Sequence, residues 1–283
     1  MRIANVAGRL ALITGDLAVD VAGASGGRYG PDVQSVYDDF DAFCDWAASA
    51  DLPPGEKFAR ADLGAPAPAP RQLFAIGLNY RAHAEESGLA APPSPAVFAK
   101  FVTSITGPYT EVELPEGNTD WEIELVAVVG KRAYRVAEDD AWDYVAGLTA
   151  GQDISERVLQ MVGSVPQFSL AKSFPGFAPM GPYLVTPDEF ADPDDLELTC
   201  AIDGEQVQKG RTSQLIFSVP ALIAKLSAVL PLLPGDVIFT GTPAGVGLGR
   251  SPQRYLRPGE VLTSSIEGIG ELRQEFVQRD HRS

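Results

Sequence analysis

Short apolar runs alternate with turn residues at the beginning of the chain. Residues 2–6, 10–13 and 17–21 are largely apolar and are separated by Gly and Asp, a pattern typical of a β-meander. The segment 31–50 has apolar residues at helical spacing instead. These residues are Val33, Val36, Tyr37, Phe40, Phe43 and Trp46. The proline-alternating segment 65–71 then predicts an extended linker. We therefore expect a small N-terminal domain over residues 1–68.

The remaining residues, 69–283, predict many strands and few helices. Strands are expected at 72–79, 121–129, 147–154, 183–185, 196–202, 237–240 and 261–266. Short helices are expected at 80–87, 137–143, 156–161 and 220–230. Together with 28 Gly and 23 Pro residues, this pattern indicates a β-rich α+β fold rather than a doubly wound α/β fold.

Composition and charge narrow the possible functions. The 283 residues are 45% hydrophobic and carry a net charge of −16, which disfavours binding to nucleic acids and to anionic membranes. The sequence has no apolar run long enough to span a bilayer and no secretion signal. The two cysteines, Cys44 and Cys200, lack metal-binding spacing and are interpreted as reduced apolar residues. We expect a soluble cytoplasmic protein.

Two acidic residues open a strongly apolar segment. Glu122 and Glu124 are two residues apart in a predicted strand, so their side chains share one face. The apolar run 126–129 indicates that this strand is buried. Two carboxylates in such a setting repel each other unless a cation lies between them. The alternative, a pair of Glu residues at a solvated strand end, is the more common explanation for an isolated pair.

A third acid ends another apolar strand. Asp153 follows the run 147–152 and precedes a short predicted helix. Its alternative role is to cap that helix, as Ser155 could also do. Three oxygen ligands without His or Cys match Mg²⁺ or Mn²⁺ better than Zn²⁺. The sequence thus predicts a divalent cation held by Glu122, Glu124 and Asp153.

One histidine is placed for acid–base chemistry. His83 and Glu86 are three residues apart on a predicted helix and therefore face each other. A carboxylate beside an imidazole fixes its tautomer and makes it a stronger base. A surface histidine with an incidental neighbouring Glu is an equally good interpretation of these residues alone. The other histidine, His281, lies in a charged C-terminal tail that is expected to be mobile.

Two further segments carry polar groups in apolar surroundings. The glycine-rich loop 241–247 lacks a P-loop lysine, and Pro243 and Pro252 prevent a following helix, so both nucleotide-binding motifs fail. Its backbone N–H groups and the Thr242 hydroxyl could still approach a small anion. Lys172, in the apolar segment 170–174, predicts an anionic partner, although a surface lysine is the competing interpretation.

Six segments in order resemble the fumarylacetoacetate hydrolase family and cover about residues 72–277. The segments are 76–80 with His83, 120–125, 152–155 with Arg157 and Gln160, 171–174 leading into 181–182, 235–247, and 266–270. The resemblance implies a β-roll, a homodimer, and Mg²⁺ or Mn²⁺ on the two Glu residues and the Asp. It also implies a small substrate with a 2-oxo or enol carboxylate that chelates the metal.

The resemblance also assigns roles around the metal. His83, oriented by Glu86, would activate water or transfer a proton, and Lys172 would act with them. The residues that would hold the substrate carboxylate and the developing oxyanion are Lys172, Arg157, Gln160 and Thr242, and Tyr80 joins them as a substrate-binding residue.

Two positions depart from the family pattern. Gln152 replaces a common Asn, and Val158 replaces an acid, which puts the pocket and the hold on Arg157 in doubt.

The leading functional prediction is a metal-dependent hydrolase that cleaves a C–C bond in a β-diketo acid, such as an acylpyruvate or fumarylacetoacetate, through a metal-stabilised enolate. The retained His-x-x-Glu pair favours hydrolysis because water must be activated. Alternatives on the same site are an oxaloacetate-type decarboxylase and a hydroxymuconate-type 2-hydroxydienoate isomerase or hydratase. An oxo-acid-binding relative without turnover is the alternative outside the enzymes, and the intact His83, Glu86 and Lys172 argue against it.

Overall fold

The computed structural model describes residues 1–86, 88 and 90–278, and within them β-strands dominate. The strands, in chain order, are β1 (Arg2–Val6), β2 (Arg9–Thr14), β3 (Leu17–Asp20), β4 (Glu56–Lys57), β5 (Leu63–Gly64), β6 (Leu73–Gly77), β7 (Ala96–Ala99), β8 (Ile105–Thr106), β9 (Tyr109–Glu113), β10 (Thr119–Asp120), β11 (Ile123–Val129), β12 (Val145–Gln152), β13 (Ser155–Glu156), β14 (Ala178–Val185), β15 (Glu197–Ile202), β16 (Glu205–Arg211), β17 (Val237–Phe239), β18 (Val261–Ile266) and β19 (Gly270–Val277).

The helices are short. The α-helices are α1 (Val21–Ala24), α2 (Phe40–Ser49), α3 (Arg81–Glu86), α4 (Arg157–Gln160), α5 (Phe168–Ala171) and α6 (Val219–Ser227). The 3₁₀-helices are Gln34–Asp39, Arg60–Asp62, Val102–Ser104, Glu138–Tyr144, Pro187–Glu189 and Thr212–Gln214. None of the helices in the described residues is long and apolar enough to cross a membrane.

Most strands belong to two sheets. The 12-stranded sheet has the order β4-β3-β2-β1-β14-β12-β11-β17-β6-β7, with β5 on β1 and β8 on β14. The five-stranded sheet has the order β16-β15-β18-β19-β9, and β10 and β13 form a separate pair. Among the strands of the described residues, parallel pairing is limited to β6–β17, β8–β14 and β9–β19. The predicted β-rich α+β fold with short helices is confirmed.

Strand β11 lies at the centre of the large sheet and is buried along its whole length. Ile123 and Leu125 face a core shared with the five-stranded sheet, which contributes Leu198 and Leu262. The alternate residues, including Val126, face the opposite core. Because side chains alternate along a strand, Glu122 and Glu124 lie on the same face as Val126. This register places two carboxylates at the end of an otherwise apolar face.

The N-terminal segment continues the large sheet. Strand β1 pairs antiparallel with β14, with Ile3 opposite Leu184. Strands on both sides of the predicted boundary at residue 68 therefore share one sheet, and the boundary itself stays a prediction. The segment 65–71 is irregular, but it packs against the core rather than extending as a free linker. Ala67 is fully buried, and the Tyr37 hydroxyl donates a hydrogen bond of 2.8 Å to the Pro66 carbonyl oxygen.

Several predicted elements differ from the observed ones in their details. The predicted helical segment 31–50 consists of the 3₁₀-helix Gln34–Asp39 followed by α2. The helix expected at 80–87 is α3, and Ser87 lies outside the described residues, as does the tail that contains His281. Both cysteines are free, as predicted.

Candidate metal and catalytic site

The structure brings the three predicted metal ligands together. Strands β11 and β12 are antiparallel, with Ile123 opposite Gln152, so Glu122 lies beside Asp153, whose N–H donates to the Glu122 carbonyl oxygen. Glu122, Glu124 and Asp153 are buried. One carboxylate oxygen from each lies within 4.8 Å of the others. The arrangement results from sheet register and needs no long loop to assemble it.

Glu122 is held by two cations. Arg157 Nη2 lies 2.7 Å from Glu122 Oε1, and Lys172 Nζ lies 2.7 Å from Glu122 Oε2. Burial alone would raise the pKa of Glu122, but the positive charges of Lys172 and Arg157 outweigh it and lower that pKa. Glu122 is therefore ionised and held in a fixed orientation.

Glu124 has no positively charged partner within salt-bridge distance in the described part of the chain. Its Oε2 accepts one hydrogen bond, of 2.7 Å, from the Gly241 N–H. Burial and the nearby charges of Asp153 and Glu122 raise the pKa of Glu124 well above its ordinary value. A divalent cation at this position would offset the charge of the Glu124 carboxylate.

Tyr80 adds a second unsatisfied group at the same place. Its hydroxyl is buried and has no hydrogen-bond partner among the described residues. Burial, with the charge of Glu124 adding to it, raises the pKa of the Tyr80 phenol. Tyr80 was predicted to bind substrate, but it is not among the residues that line the cavity described below. The charge of Glu124 acts on the Tyr80 phenol, so the two groups lie near each other.

Asp153 is bound by two lysines. Lys172 Nζ lies 2.7 Å from Asp153 Oδ2, and Lys100 Nζ lies 2.6 Å from Asp153 Oδ1. Lys100 also donates to the Lys172 carbonyl oxygen. Lys172 was predicted to have an anionic partner, and it has two, Asp153 and Glu122. Lys100 was not predicted to be a site residue. Like Lys172, it lies within an apolar segment, 97–101, so the same pattern could have identified it.

Asp153 does not cap the following helix. Glu156 is the N-cap of α4, and its carboxylate accepts hydrogen bonds from the N–H groups of Val158 and Leu159. The Ser155 hydroxyl donates to the Asp153 carbonyl oxygen instead. The alternative roles predicted for Asp153 and Ser155 at the helix end were therefore wrong, and the Asp153 carboxylate lies in the site, paired with Lys100 and Lys172.

Arg157 joins Glu122 to a second acid. Its Nε donates to Asp120 Oδ2 at 2.9 Å, and its Nη1 donates to Gln160 Oε1 at 2.9 Å. Asp120 also accepts hydrogen bonds from the N–H groups of Gly247 and Leu248. No role was predicted for Asp120. Arg157 is thus committed to the protein's own carboxylates, and its contribution is to position Glu122.

His83 and Glu86 form the predicted pair. His83 Nδ1 lies 2.8 Å from Glu86 Oε1, and Glu86 Oε2 accepts a hydrogen bond of 2.9 Å from the Gly245 N–H. His83 is buried and lines the cavity. Because the Glu86 carboxylate accepts at Nδ1, the lone pair of the neutral imidazole is on Nε2. His83 is therefore set up as a base.

The glycine-rich loop serves carboxylates of the chain itself. The N–H groups of Gly241, Gly245 and Gly247 donate to Glu124, Glu86 and Asp120, respectively. The small anion that the loop was predicted to approach cannot use these three N–H groups, because carboxylates of the protein occupy them. Its actual role is to fix the positions of three acids that surround the site.

The Thr242 hydroxyl is also engaged. It donates to the Ile123 carbonyl oxygen at 2.8 Å and accepts from Gln208 Nε2 at 2.8 Å. A hydroxyl has one proton to donate, so the Thr242 side chain cannot donate to a substrate in this arrangement. Thr242 still lines the cavity, and its hydroxyl anchors the start of β11.

These groups surround one cavity of about 360 Å³. Its polar lining consists of His83, Glu122, Glu124, Asp153, Arg157, Gln160, Lys172 and Thr242. The remaining lining is almost entirely apolar, and the Phe98 ring lies 5.3 Å from Lys172 Nζ. A divalent cation, a base and an ammonium group can therefore act on the same small molecule.

The two departures from the family pattern, Val158 and Gln152, are compatible with these contacts. Val158 is 52% exposed, and Arg157 is held without any contribution from its side chain. Gln152 Oε1 accepts a hydrogen bond of 2.8 Å from the Glu122 N–H, and its Nε2 donates to Ser264 Oγ at 2.8 Å. Gln152 thereby fixes the backbone of Glu122, one of the three predicted metal ligands.

We expect Gln152→Leu to lower the free energy of unfolding by about 1–3 kcal/mol, because it leaves the buried Glu122 N–H without a partner. Urea denaturation of the variant and of the exposed control Gln253→Leu would measure this. The control should stay within about 0.5 kcal/mol of the wild type. Equal urea midpoints for Gln152→Leu and the wild type would show that the hydrogen bond between the Glu122 N–H and Gln152 does not contribute to stability.

Comparison with known proteins gives consistent matches. Residues 72–277 match the family model described as fumarylacetoacetate (FAA) hydrolase C-terminal. Human mitochondrial oxaloacetate tautomerase FAHD2A is 42% identical over 215 residues, which are 75% of this chain and 68% of that protein. Other relatives carry hydrolase and isomerase names.

Solved structures agree along the whole chain. A Mycobacterium smegmatis protein with the provisional name HpcE is 57% identical, with a TM-score of 0.97 over 99% of this chain and 100% of that one. Maleylpyruvate hydrolase from Sphingobium sp. SYK-6, in complex with manganese(II) and pyruvate, is 29% identical, with a TM-score of 0.78 over 98% of this chain and 99% of that one.

Proposed function

This chain belongs to the fumarylacetoacetate hydrolase family, whose matched members are enzymes, and we propose that it is a Mg²⁺- or Mn²⁺-dependent hydrolase of a β-diketo acid of the acylpyruvate type. One observation carries the proposal. The His83–Glu86 pair opens into the same cavity as three buried carboxylates that lie within 4.8 Å of one another. A base and a cation site are the two elements that hydrolysis of a C–C bond next to a 2-oxo acid requires.

The residues present fit a hard divalent cation. Glu122, Glu124 and Asp153 would hold it, since all three offer oxygen ligands and Glu124 lacks a cationic partner in the described part of the chain. Bound there, the ion would polarise the 2-oxo group of the substrate and stabilise negative charge that develops on it. The relative that contains manganese and pyruvate supports this assignment.

His83 supplies the proton transfers. With Glu86 on Nδ1, His83 Nε2 takes a proton from water, and the water oxygen bonds to the acyl carbonyl carbon of the substrate. The C–C bond between that carbon and the neighbouring methylene then breaks, and its electron pair stays on the methylene carbon. The protonated His83 returns its proton to this carbon, so the products are a carboxylic acid and a 2-oxo acid.

Lys172 is placed to bind the substrate carboxylate. Two of its three N–H groups reach Glu122 and Asp153, which leaves one N–H for a substrate oxygen at the cavity wall. The Gln160 side chain lines the same wall, where its amide N–H groups can contribute a further hydrogen bond. These contacts orient the 2-oxo acid so that its acyl carbonyl group faces His83.

Keto–enol tautomerisation of a 2-oxo acid is the second candidate. The observation that favours it is the 42% identity to a relative named oxaloacetate tautomerase. This reaction needs the same polarised 2-oxo group and a proton transfer by His83, but no addition of water. The decarboxylase and isomerase alternatives would use the site in the same way up to the enolate.

A product assay separates these candidates. Acylpyruvates, oxaloacetate and 2-hydroxydienoates would each be incubated with the protein in Mg²⁺ and in EDTA. We expect acylpyruvates to yield pyruvate and a carboxylic acid in Mg²⁺ only. Rapid tautomerisation of oxaloacetate without cleavage of any acylpyruvate would replace the hydrolase assignment by the second candidate.

The predicted homodimer and cytoplasmic location stay predictions.

A further inference from the structure

The cavity lining falls into two chemically different groups. Besides the polar groups already described, the wall is formed by large apolar side chains. These are Ile76, Leu78, Phe98, Met161, Phe168 and Leu248. The rings of Phe98 and Phe168 pack against each other at 5.5 Å between centroids. A substrate that fills the cavity must therefore bring its distal part against an apolar surface.

The cationic groups of the cavity are already paired. Among the described residues that line it, these groups are Arg157, Lys172 and His83. Arg157 and Lys172 form ion pairs with acids of the protein, and His83 is bonded to Glu86. The one remaining Lys172 N–H is taken by the 2-oxo carboxylate in the proposed reaction. A second substrate carboxylate would be buried without a cation, which is unfavourable.

Leu78 has a backbone conformation that leucine rarely adopts. Its φ is 56°, in the left-handed region that favours Gly and Asn. The neighbouring Asn79 fixes this turn, because its side chain bonds to the backbone of both Phe217 and Thr240. A large apolar side chain is thus kept in the cavity wall despite a strained backbone, and such strain concentrates at functional sites.

We propose that Leu78 and the apolar wall select substrates whose acyl group is uncharged and apolar. This inference rests on the proposed function and specifies its substrate class. The acyl group, which leaves as a carboxylic acid, contacts the apolar wall, while the 2-oxo carboxylate occupies the polar groups. A substrate with a carboxylate at the end of its acyl group is disfavoured.

The test compares kcat/KM for two acylpyruvates of equal chain length, one ending in a methyl group and one ending in a carboxylate. For the wild type we expect a higher kcat/KM for the methyl-ended compound. In a series of methyl-ended compounds of increasing length, kcat/KM should rise about fourfold per added methylene. Leu78→Arg should shift the preference toward the carboxylate-ended compound. Leu78→Asn, which tolerates the left-handed backbone, should weaken the preference. Val229→Asn, at an 80% exposed residue outside the cavity, should leave the ratio unchanged.

The outcomes distinguish this inference from the function on which it rests. If the wild type cleaves neither compound in Mg²⁺, the hydrolase proposal fails, and the substrate preference fails with it. Cleavage of both with a higher kcat/KM for the carboxylate-ended compound overturns the preference alone. The wild-type comparison decides this even if a Leu78 variant does not fold. An unchanged ratio in folded Leu78→Arg would exclude Leu78 as the selecting residue.

Discussion

Replacing His83 by alanine is expected to lower kcat for acylpyruvate cleavage by roughly 10²- to 10⁴-fold, the usual contribution of a general base. His83 is 8% exposed and lines the cavity without ligating the proposed metal site. Mg²⁺ binding should therefore be retained. Steady-state kinetics together with calorimetric titration of Mg²⁺ would measure both effects.

The neighbouring acids provide the control for this prediction. Glu86→Gln should lower kcat less than His83→Ala, because it weakens the hold on Nδ1 but leaves the imidazole in place. Glu85 lies on the same helix and is exposed, so Glu85→Gln should turn over at the wild-type rate. Wild-type kcat in a folded His83→Ala variant would remove His83 from the mechanism.

Replacing Glu124 by glutamine should abolish metal binding without destabilising the metal-free protein. In the metal-free state Glu124 is a buried carboxylate with acids on two sides and no cationic partner in the described residues, so removing its charge relieves repulsion. Mg²⁺ at 100 times its Kd should stabilise the wild type by about 2.7 kcal/mol. The variant should lose this stabilisation and its activity together.

Thermal unfolding in EDTA and in Mg²⁺ measures both parts of this prediction. In EDTA the Tm of Glu124→Gln should equal or exceed that of the wild type, and Mg²⁺ should raise only the wild-type Tm. Glu205→Gln, at an exposed residue, should respond to Mg²⁺ as the wild type does. An equal Mg²⁺-induced rise in Glu124→Gln would show that Glu124 is not a ligand.

Much of this site could be predicted because its residues lie at strand ends. Alternation along β11 placed Glu122 and Glu124 on one face, and the antiparallel partner β12 brought Asp153 beside them. The His83–Glu86 pair is local to one helix, so spacing was sufficient. The apolar segments also located the central strands, since burial on both faces leaves a continuous apolar run.

The long-range partners could not be predicted in the same way. Lys100 meets Asp153 across 53 positions of sequence, and Asp120 meets the Gly247 N–H group across 127. Such contacts depend on the strand order, which periodicity does not specify. For the same reason the acids that occupy three N–H groups of the glycine-rich loop could not be predicted, because they come from other elements.

We propose that one divalent cation on Glu122, Glu124 and Asp153 is required for cleavage of an acylpyruvate. The most direct measurement is the kcat of EDTA-treated protein as Mn²⁺ is added back, with bound Mn²⁺ quantified by electron paramagnetic resonance in the same samples. We predict no cleavage without metal and a kcat that rises in proportion to bound Mn²⁺ up to one ion per chain. Full cleavage in the metal-free protein would contradict the claim.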